Sequence, residues 1–126
     1  MSLEITIQSA AENQAVLTVQ LAGSLNGATA PELERQLAFP LASPIKHIVF
    51  DLARLKFISS AGVRIFSSAR KTLKDRGGQA SFVNLQPQIE LVLDVMKSLP
   101  GVAMYKDSAD LDRYLALLQS DRPKNP

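Results

Sequence analysis

Strand-like apolar runs alternate with segments of helical periodicity along almost the whole of this 126-residue chain. The run Ile45–Leu52 has the length of a strand and the composition of one buried on both faces, whereas from Ser60 the apolar residues recur at helical spacing. Because parallel strands need a crossover connection of helical length, this alternation predicts an α/β fold with a mainly parallel sheet. The chain length suits one domain with one core.

The N-terminal segment departs from that alternation. Leu3, Ile5 and Ile7 alternate with polar residues, and a second β-rich run, Ala15–Gly23, follows after the turn formed by residues 10–14. Two consecutive strands joined by a short turn form an antiparallel hairpin. We therefore expect a mixed sheet of about five strands, with the first strand antiparallel at one edge.

About four helices are predicted between and after these strands. The first contains Pro31 near its start and ends before Pro40 and Pro44; the second runs from Ser60 to the glycines of "DRGG", with basic residues in its last turns. The third begins at Pro87, after the strand "ASFVNL". A short strand at 102–105 and a helix at 107–118, capped by Asp107 or Ser108, complete the order β-β-α-β-α-β-α-β-α. The predicted domain is 1–118, and 119–126 form a flexible tail.

The composition argues against several classes of function. There are 14 Lys and Arg against 12 Asp and Glu, and they are interleaved along the chain, so no nucleic-acid partner is expected. No cysteine is present, no metal-ligand constellation or nucleotide-binding motif occurs, and no apolar run approaches the ~20 residues of a membrane span. We expect a cytoplasmic protein that has no cofactor, no metal and no membrane contact.

The stretch "ISSAGV" lies between the predicted central strand and the helix that follows it. Two interpretations fit Ser59 and Ser60. A serine at this place can simply cap the helix by accepting a hydrogen bond from a first-turn N–H. Alternatively, a phosphate on Ser60 would be favoured by the helix dipole and would present a bulky dianion to any protein docking there.

The segment His47–Phe66 resembles the central motif of STAS domains, and in particular of bacterial anti-sigma factor antagonists. That family's pattern is a strand ending in Asp-Leu, a spacer, an aromatic and an aliphatic residue, and then Asp-Ser-Ser/Thr-Gly-Leu/Val. Residues 23–26 are similar to the family's Gly-Glu-Leu-Asp, and residues 107–118 resemble its last helix. The resemblance covers about residues 4 to 118 and implies the STAS fold, a βα superhelix, in agreement with the predicted element order.

What the resemblance implies is a regulatory switch and not an enzyme. Unphosphorylated members of the family bind an anti-sigma factor that is also a GHKL-type serine kinase, which frees a sigma factor for transcription. The kinase phosphorylates the serine after the motif Asp and so releases the antagonist, and a PP2C-type phosphatase reverses the modification. That serine corresponds to Ser60 in this chain, and Ser59, which takes the place of the Asp, is the alternative acceptor.

The implied partner-binding face joins the two strand-to-helix junctions. It consists of Leu25, Asn26, Ser59, Ser60, Ala61, Gly62, Val63 and Arg64. Three positions that are acidic in the family are neutral here, namely Ser24, Asn26 and Ser59, which suggests a less basic partner. We expect the Ser60 hydroxyl to be accessible to solvent, Gly62 to allow a tight turn or close approach of a partner, and a phosphate on Ser60 to block docking without disturbing the core.

Two other functions are alternatives to this one. A STAS adaptor that holds a transporter ATPase or a signalling scaffold, without phosphorylation, would need the same fold and no acceptor serine. A serine nucleophile would need the elbow motif Gly-x-Ser-x-Gly, but Ile58 stands at its first glycine, and His47, the only histidine, lies in the predicted central strand. Asp51 is expected to accept hydrogen bonds from loop amides.

Overall fold

The computed structural model describes residues 2–9 and 16–98, together with residues 113, 115–117 and 119. Seven elements have defined bounds: β1 (Leu3–Ser9), β2 (Val16–Leu25), α1 (Ala30–Ala42), β3 (His47–Ile58), α2 (Ser60–Asp75), β4 (Gln79–Val83) and α3 (Pro87–Ser98). Residues 113 and 115–117 are helical, as expected for the last predicted helix, and residue 119, which was assigned to the flexible tail, is helical as well. The predicted turn at 10–14, the strand at 102–105 and the caps Asp107 and Ser108 lie outside the described residues.

The described strands form one mixed sheet in the order β1-β2-β3-β4. Strand β1 pairs with β2 antiparallel, from Leu3 opposite Gly23 to Ser9 opposite Leu17. Strands β2, β3 and β4 are parallel to one another, and helices α1 and α2 provide the crossovers between them. The antiparallel edge strand and the α/β class are therefore confirmed.

Strand β3 is longer than predicted and is covered differently. It continues past Leu52 to Ile58, because β2 continues to pair with it as far as Leu25 opposite Ile58, across two irregularities in register. The expectation of burial on both faces was wrong. Ile48, Phe50 and Leu52 are fully buried on one face, whereas Val49 and Asp51 between them are only half-buried.

Two fully buried phenylalanines and a partly buried one pack together between the sheet and α2. Phe50 of β3, Phe66 of α2 and Phe82 of β4 contact one another, with ring centroids 5.0 to 5.2 Å apart. The predicted apolar stripe of α2 is confirmed, since Phe66, Ala69 and Leu73 are fully buried. Because α2 packs against β3 and β4 through these rings, its first turn is fixed at the end of β3.

Helix α1 does not end at Pro40, contrary to expectation, but passes through it to Ala42. Proline removes one helical N–H, but only two residues follow it here, so little of the hydrogen-bond ladder is lost. Arg76 compensates from the far end of α2: its guanidinium donates hydrogen bonds to the carbonyl oxygens of Leu41, Ser43 and Ile45. The basic end of α2 thus stabilises the end of α1 as well as its own.

Candidate functional site

Two strand-to-helix junctions meet at one edge of the sheet. Because β2 and β3 are parallel, the junction from β2 to α1 and the junction from β3 to α2 lie side by side. Leu25 is paired with Ile58, and the Ser59 N–H donates a hydrogen bond of 2.9 Å to the Leu25 carbonyl oxygen. The adjacency expected for the predicted partner-binding face is therefore present.

Asn26 shapes the first of these junctions. Its side-chain Oδ1 accepts hydrogen bonds from the N–H groups of Ala28 at 2.9 Å and Thr29 at 3.1 Å. Thr29 in turn accepts from the Asn26 N–H at 2.9 Å and donates to the Ser24 carbonyl at 2.8 Å. The amide oxygen of Asn26 therefore supports the turn that starts α1, a role that needs an acceptor but no negative charge.

Ser59 is the N-cap residue of α2, but its side chain makes no capping hydrogen bond. The residue is 8% exposed, and Ser59 Oγ is a buried side-chain polar atom without any hydrogen-bond partner, the one such case in the described part of the chain. The capping interpretation is therefore wrong for the Ser59 side chain. An unpaired buried hydroxyl is a cost to the fold.

Ser60 is the first residue of α2, as the sequence predicts, but it is only 2% exposed. The expectation of a solvent-accessible hydroxyl was wrong. Because β3 continues to Ile58 and α2 begins at Ser60, a single residue connects strand and helix. No loop projects from the junction, so both serines lie inside its packing.

Most of the predicted partner-binding face is buried as well. Leu25 is fully buried, Val63 is 3% exposed, and Gly62 is also buried. A Cβ on residue 62 would lie 2.7 Å from Leu25 Cγ, so this glycine serves contact within the domain and not the approach of a partner. Asn26 and Ala61 are half-buried and Arg64 is exposed, so these three remain available to a partner.

The accessible surface next to the junctions is a groove between α1 and α2. It is lined by Gly27, Ala30, Pro31, Glu34, Ala61, Arg64, Ile65, Ser67 and Ser68. Small and apolar side chains predominate, and Glu34 and Arg64 add one charge of each sign. One side of this groove is formed by α2, the helix that begins at Ser60. A displacement of Ser60 would therefore move the side chains that line the groove.

Asp51 and His47 take no part in this site. Asp51 Oδ1 accepts hydrogen bonds from Asn84 Nδ2 at 3.1 Å and from the Ala53 N–H at 3.2 Å, which lower the pKa of the Asp51 carboxyl. Amide bonding by Asp51 is thus confirmed. His47 is exposed at the first residue of β3, roughly 40 Å along the strand from the serines at about 3.3 Å per strand residue.

Neither a metal site nor a membrane span is found in the described part of the chain. No group of three or more His, Cys, Asp or Glu side chains is placed to hold an ion. Among the same residues, no helix combines the length and the apolar character needed to cross a bilayer.

Gln119 is a site residue that the sequence did not reveal. Its side-chain amide accepts a hydrogen bond from the Ile58 N–H at 2.8 Å and donates one to the Ile58 carbonyl at 2.7 Å. A further bond of 3.0 Å to the Leu115 carbonyl holds the amide against its own helix. The sequence placed this residue in the tail, and a lone glutamine 61 positions from its partner gives no pattern to detect.

Comparison with known families assigns the fold. The sequence model of the STAS domain matches residues 8–111. The chain belongs to the STAS domain family. Among curated relatives of this STAS domain, a putative anti-sigma factor antagonist, BtrV of Bordetella bronchiseptica, is 34% identical over 80 residues, covering 64% of this chain and 69% of the relative. An anti-sigma F factor antagonist of Paenibacillus polymyxa is 26% identical over 96 residues, covering 75% and 80%.

Solved structures agree on the fold of this STAS domain. The unphosphorylated form of the anti-sigma factor antagonist SpoIIAA superposes with a TM-score of 0.66 at 16% identity, covering 75% of this chain and 81% of that one. An anti-sigma factor antagonist from Mycobacterium paratuberculosis gives 0.63 at 21% identity, covering 90% and 94%. The match of the family sequence model ends at residue 111, so Gln119 lies beyond it.

Proposed function

We propose that this STAS domain is a cytoplasmic anti-sigma factor antagonist. It binds an anti-sigma factor that is also a GHKL-type serine kinase, and the complex is dissolved when that kinase phosphorylates Ser60, with Ser59 as the alternative acceptor. A PP2C-type phosphatase restores the binding form. The proposal draws on the names of the curated relatives and on one observation, the hydrogen bond that joins Ser59 N–H to Leu25 O and unites both junctions beside the α1–α2 groove.

Charge at the start of α2 favours a phosphate on Ser60. The first turn of α2 contains no acidic residue, and Arg64 follows Ser60 by four positions, the spacing at which an anion and a cation attract each other on a helix. The amides and dipole at the helix start add to this attraction. Once attached, the phosphate is therefore electrostatically stabilised within its own chain.

Because Ser60 is buried, its phosphorylation would change the shape of the junction as well as its charge. With 2% of Ser60 exposed, a phosphate does not fit without displacing the junction. The displacement moves Ala61 and Arg64, which line the groove, and so alters the surface that a partner meets. Phosphorylation is thus expected to rearrange the start of α2 locally, and not to leave it unchanged.

Two observations favour the second candidate, a STAS adaptor that binds a transporter ATPase or a signalling scaffold without phosphorylation. The acceptor serine is buried, and the three acidic positions of the family are occupied by Ser24, Asn26 and Ser59. An adaptor needs neither an accessible hydroxyl nor these carboxylates. A stable complex with such a partner, combined with no phosphate transfer from any kinase of the same organism, would establish this alternative.

The decisive experiment is phosphorylation by the GHKL-type kinase of the same organism, followed by intact mass and by tandem mass spectrometry to place the phosphate. Ser60→Ala should abolish the mass gain and bind the kinase persistently, and Ser60→Asp should fold yet fail to bind. Ser9→Asp, which alters an exposed serine at the end of β1, is the matched control and should bind normally. A phosphate found on Ser59 would identify Ser59, and not Ser60, as the acceptor. If neither serine is phosphorylated, the proposed phosphorylation switch is wrong.

The proposal includes the absence of hydrolase activity. A serine nucleophile should react with a fluorophosphonate, so incubation of the purified protein with this reagent is expected to leave its mass unchanged. Covalent labelling at Ser59 or Ser60 would contradict a purely regulatory role.

A further inference from the structure

The two serines of the junction are shielded, so an enzyme can act on them only after the junction opens. Ser59 and Ser60 are 8% and 2% exposed. A kinase must bring the hydroxyl to the γ-phosphate of ATP, which requires an extended and accessible acceptor segment. What holds the junction closed therefore sets how often either serine can be modified.

The junction is held on two sides at Ile58. On one side β2 pairs with it, through Leu25. On the other side no strand reaches Ile58, because the pairing of β4 with β3 ends at Val83, opposite Asp51. Without a substitute for β4, the Ile58 N–H and carbonyl on that side would be buried and unpaired, which proteins avoid.

Glutamine side chains substitute for the missing strand along this edge of β3. Gln86 Nε2 donates to the Ala53 carbonyl at 2.8 Å, and Gln88 Nε2 donates to the Lys56 carbonyl at 3.2 Å. Each of these makes one bond to the β3 main chain and comes from the segment directly after β4. Only Gln119, among the described residues, bonds both the N–H and the carbonyl of one β3 residue, as a neighbouring strand would.

We propose that Gln119 is a gate for the phosphorylation site: its amide, bonded both ways to Ile58, keeps the start of α2 closed, and its release exposes Ser59 and Ser60. The inference rests on the proposed function in that it concerns access to the same serines. A partner that binds more tightly when the helical residues 113, 115–117 and 119 are displaced opens the gate, and one that prefers them docked keeps it closed.

The chain contains no cysteine, which allows a direct test on the whole protein. In a Ser60→Cys background the single thiol should react slowly with a thiol reagent, because it is shielded. Adding Gln119→Leu removes both bonds to Ile58 and should accelerate labelling by about tenfold or more, given the usual value of two hydrogen bonds. Gln119→Glu keeps the acceptor but loses the donor, so its rate should lie between the two.

Gln88→Leu is the matched control, since Gln88 bonds the same edge of β3 two residues before Ile58. It should change the labelling rate by no more than about twofold if the gate lies at Ile58. Urea unfolding of each variant separates local opening from a global loss of stability. The proposed gate would be contradicted by equal labelling rates with and without Gln119. It would also be contradicted if a lower global stability fully explained the faster labelling.

The gate and the switch can fail separately. Thiol labelling reports access without any kinase, so it tests the gate even if Ser60 is never phosphorylated. With the kinase, the initial phosphorylation rate of the Gln119→Leu variant should rise in proportion to the labelling rate. Faster labelling with an unchanged phosphorylation rate would overturn the regulatory role of Gln119 and leave the proposed switch intact.

Discussion

Gly62 lies directly against Leu25. A Cβ on residue 62 would stand 2.7 Å from Leu25 Cγ and 2.7 Å from Ile58 Cγ1, closer than non-bonded carbons approach in proteins. The first turn of α2 can therefore rest on the ends of β2 and β3 only because residue 62 has no side chain. This contact, more than any loop, determines the shape of the candidate site.

Gly62→Ala should destabilise the domain. Alanine favours helices over glycine by up to about 1 kcal/mol, but forcing a methyl group into a packed core typically costs about 1–3 kcal/mol. We expect the free energy of unfolding, measured by urea titration, to fall by about 1–2 kcal/mol. Gly27→Ala is the control: a Cβ there meets no atom within 4 Å, so a similar loss in that variant would contradict the packing argument.

Ser59→Ala should not destabilise the protein, in contrast to most N-cap substitutions. Ser59 Oγ is buried and has no partner, so its removal relieves an unmet hydrogen-bond requirement and does not break a cap. We expect an unchanged or slightly higher free energy of unfolding. Asn26→Ala, which removes the acceptor for two N–H groups, should lower it by about 1–2 kcal/mol. Equal losses in both variants would mean that Ser59 does cap α2.

Arg76→Lys should be destabilising although the charge is kept. The guanidinium donates to three carbonyl groups at the end of α1 and in the loop after it, and an ammonium group cannot span them. Thermal or urea unfolding should show a loss of about 1–3 kcal/mol. Lys74→Ala, an exposed position on the same helix, should stay within about 0.5 kcal/mol of the wild type.

The stability of the protein should depend on pH through Asp51. Hydrogen bonds from Asn84 and from the Ala53 N–H lower the pKa of Asp51 in the folded chain. A lowered folded pKa means that the carboxylate contributes stability above the unfolded pKa, about 3.9, and that this contribution is lost as the pH falls through the folded pKa.

The measurement compares wild type with Asp51→Asn. The difference in their free energies of unfolding should be larger at about pH 7 than at about pH 3, since only the wild type loses a carboxylate. Asn84→Gly removes the first of the donors yet tolerates the left-handed backbone of that position, where φ is 60°. In the Asn84→Gly background, the stability effect of Asp51→Asn should change less between about pH 7 and about pH 3. An unchanged pH dependence would show that Asn84 is not the main cause of the lowered pKa of Asp51.

The order and type of the elements were predictable because they depend on local pattern. Alternating apolar residues identified β1, a continuous apolar run identified β3, and apolar residues at helical spacing identified α2, whose buried residues Phe66, Ala69 and Leu73 were all anticipated. Gly77, with φ of 81°, follows the end of α2 as "DRGG" suggested. Strand length was not predictable, since β3 continues beyond Leu52 only because β2 pairs with it.

The sequence by itself determined that the two serines stand at the candidate site: they follow a strand, precede a helix and occur in a STAS motif, and all of this is local information. Tertiary structure decided whether those residues are accessible. Ser60 is buried, and the contact of Gly62 with Leu25 and the bonds of Gln119 to Ile58 join residues that are 37 and 61 positions apart. Local pattern cannot report such contacts, because they arise only when the packed core brings distant segments together.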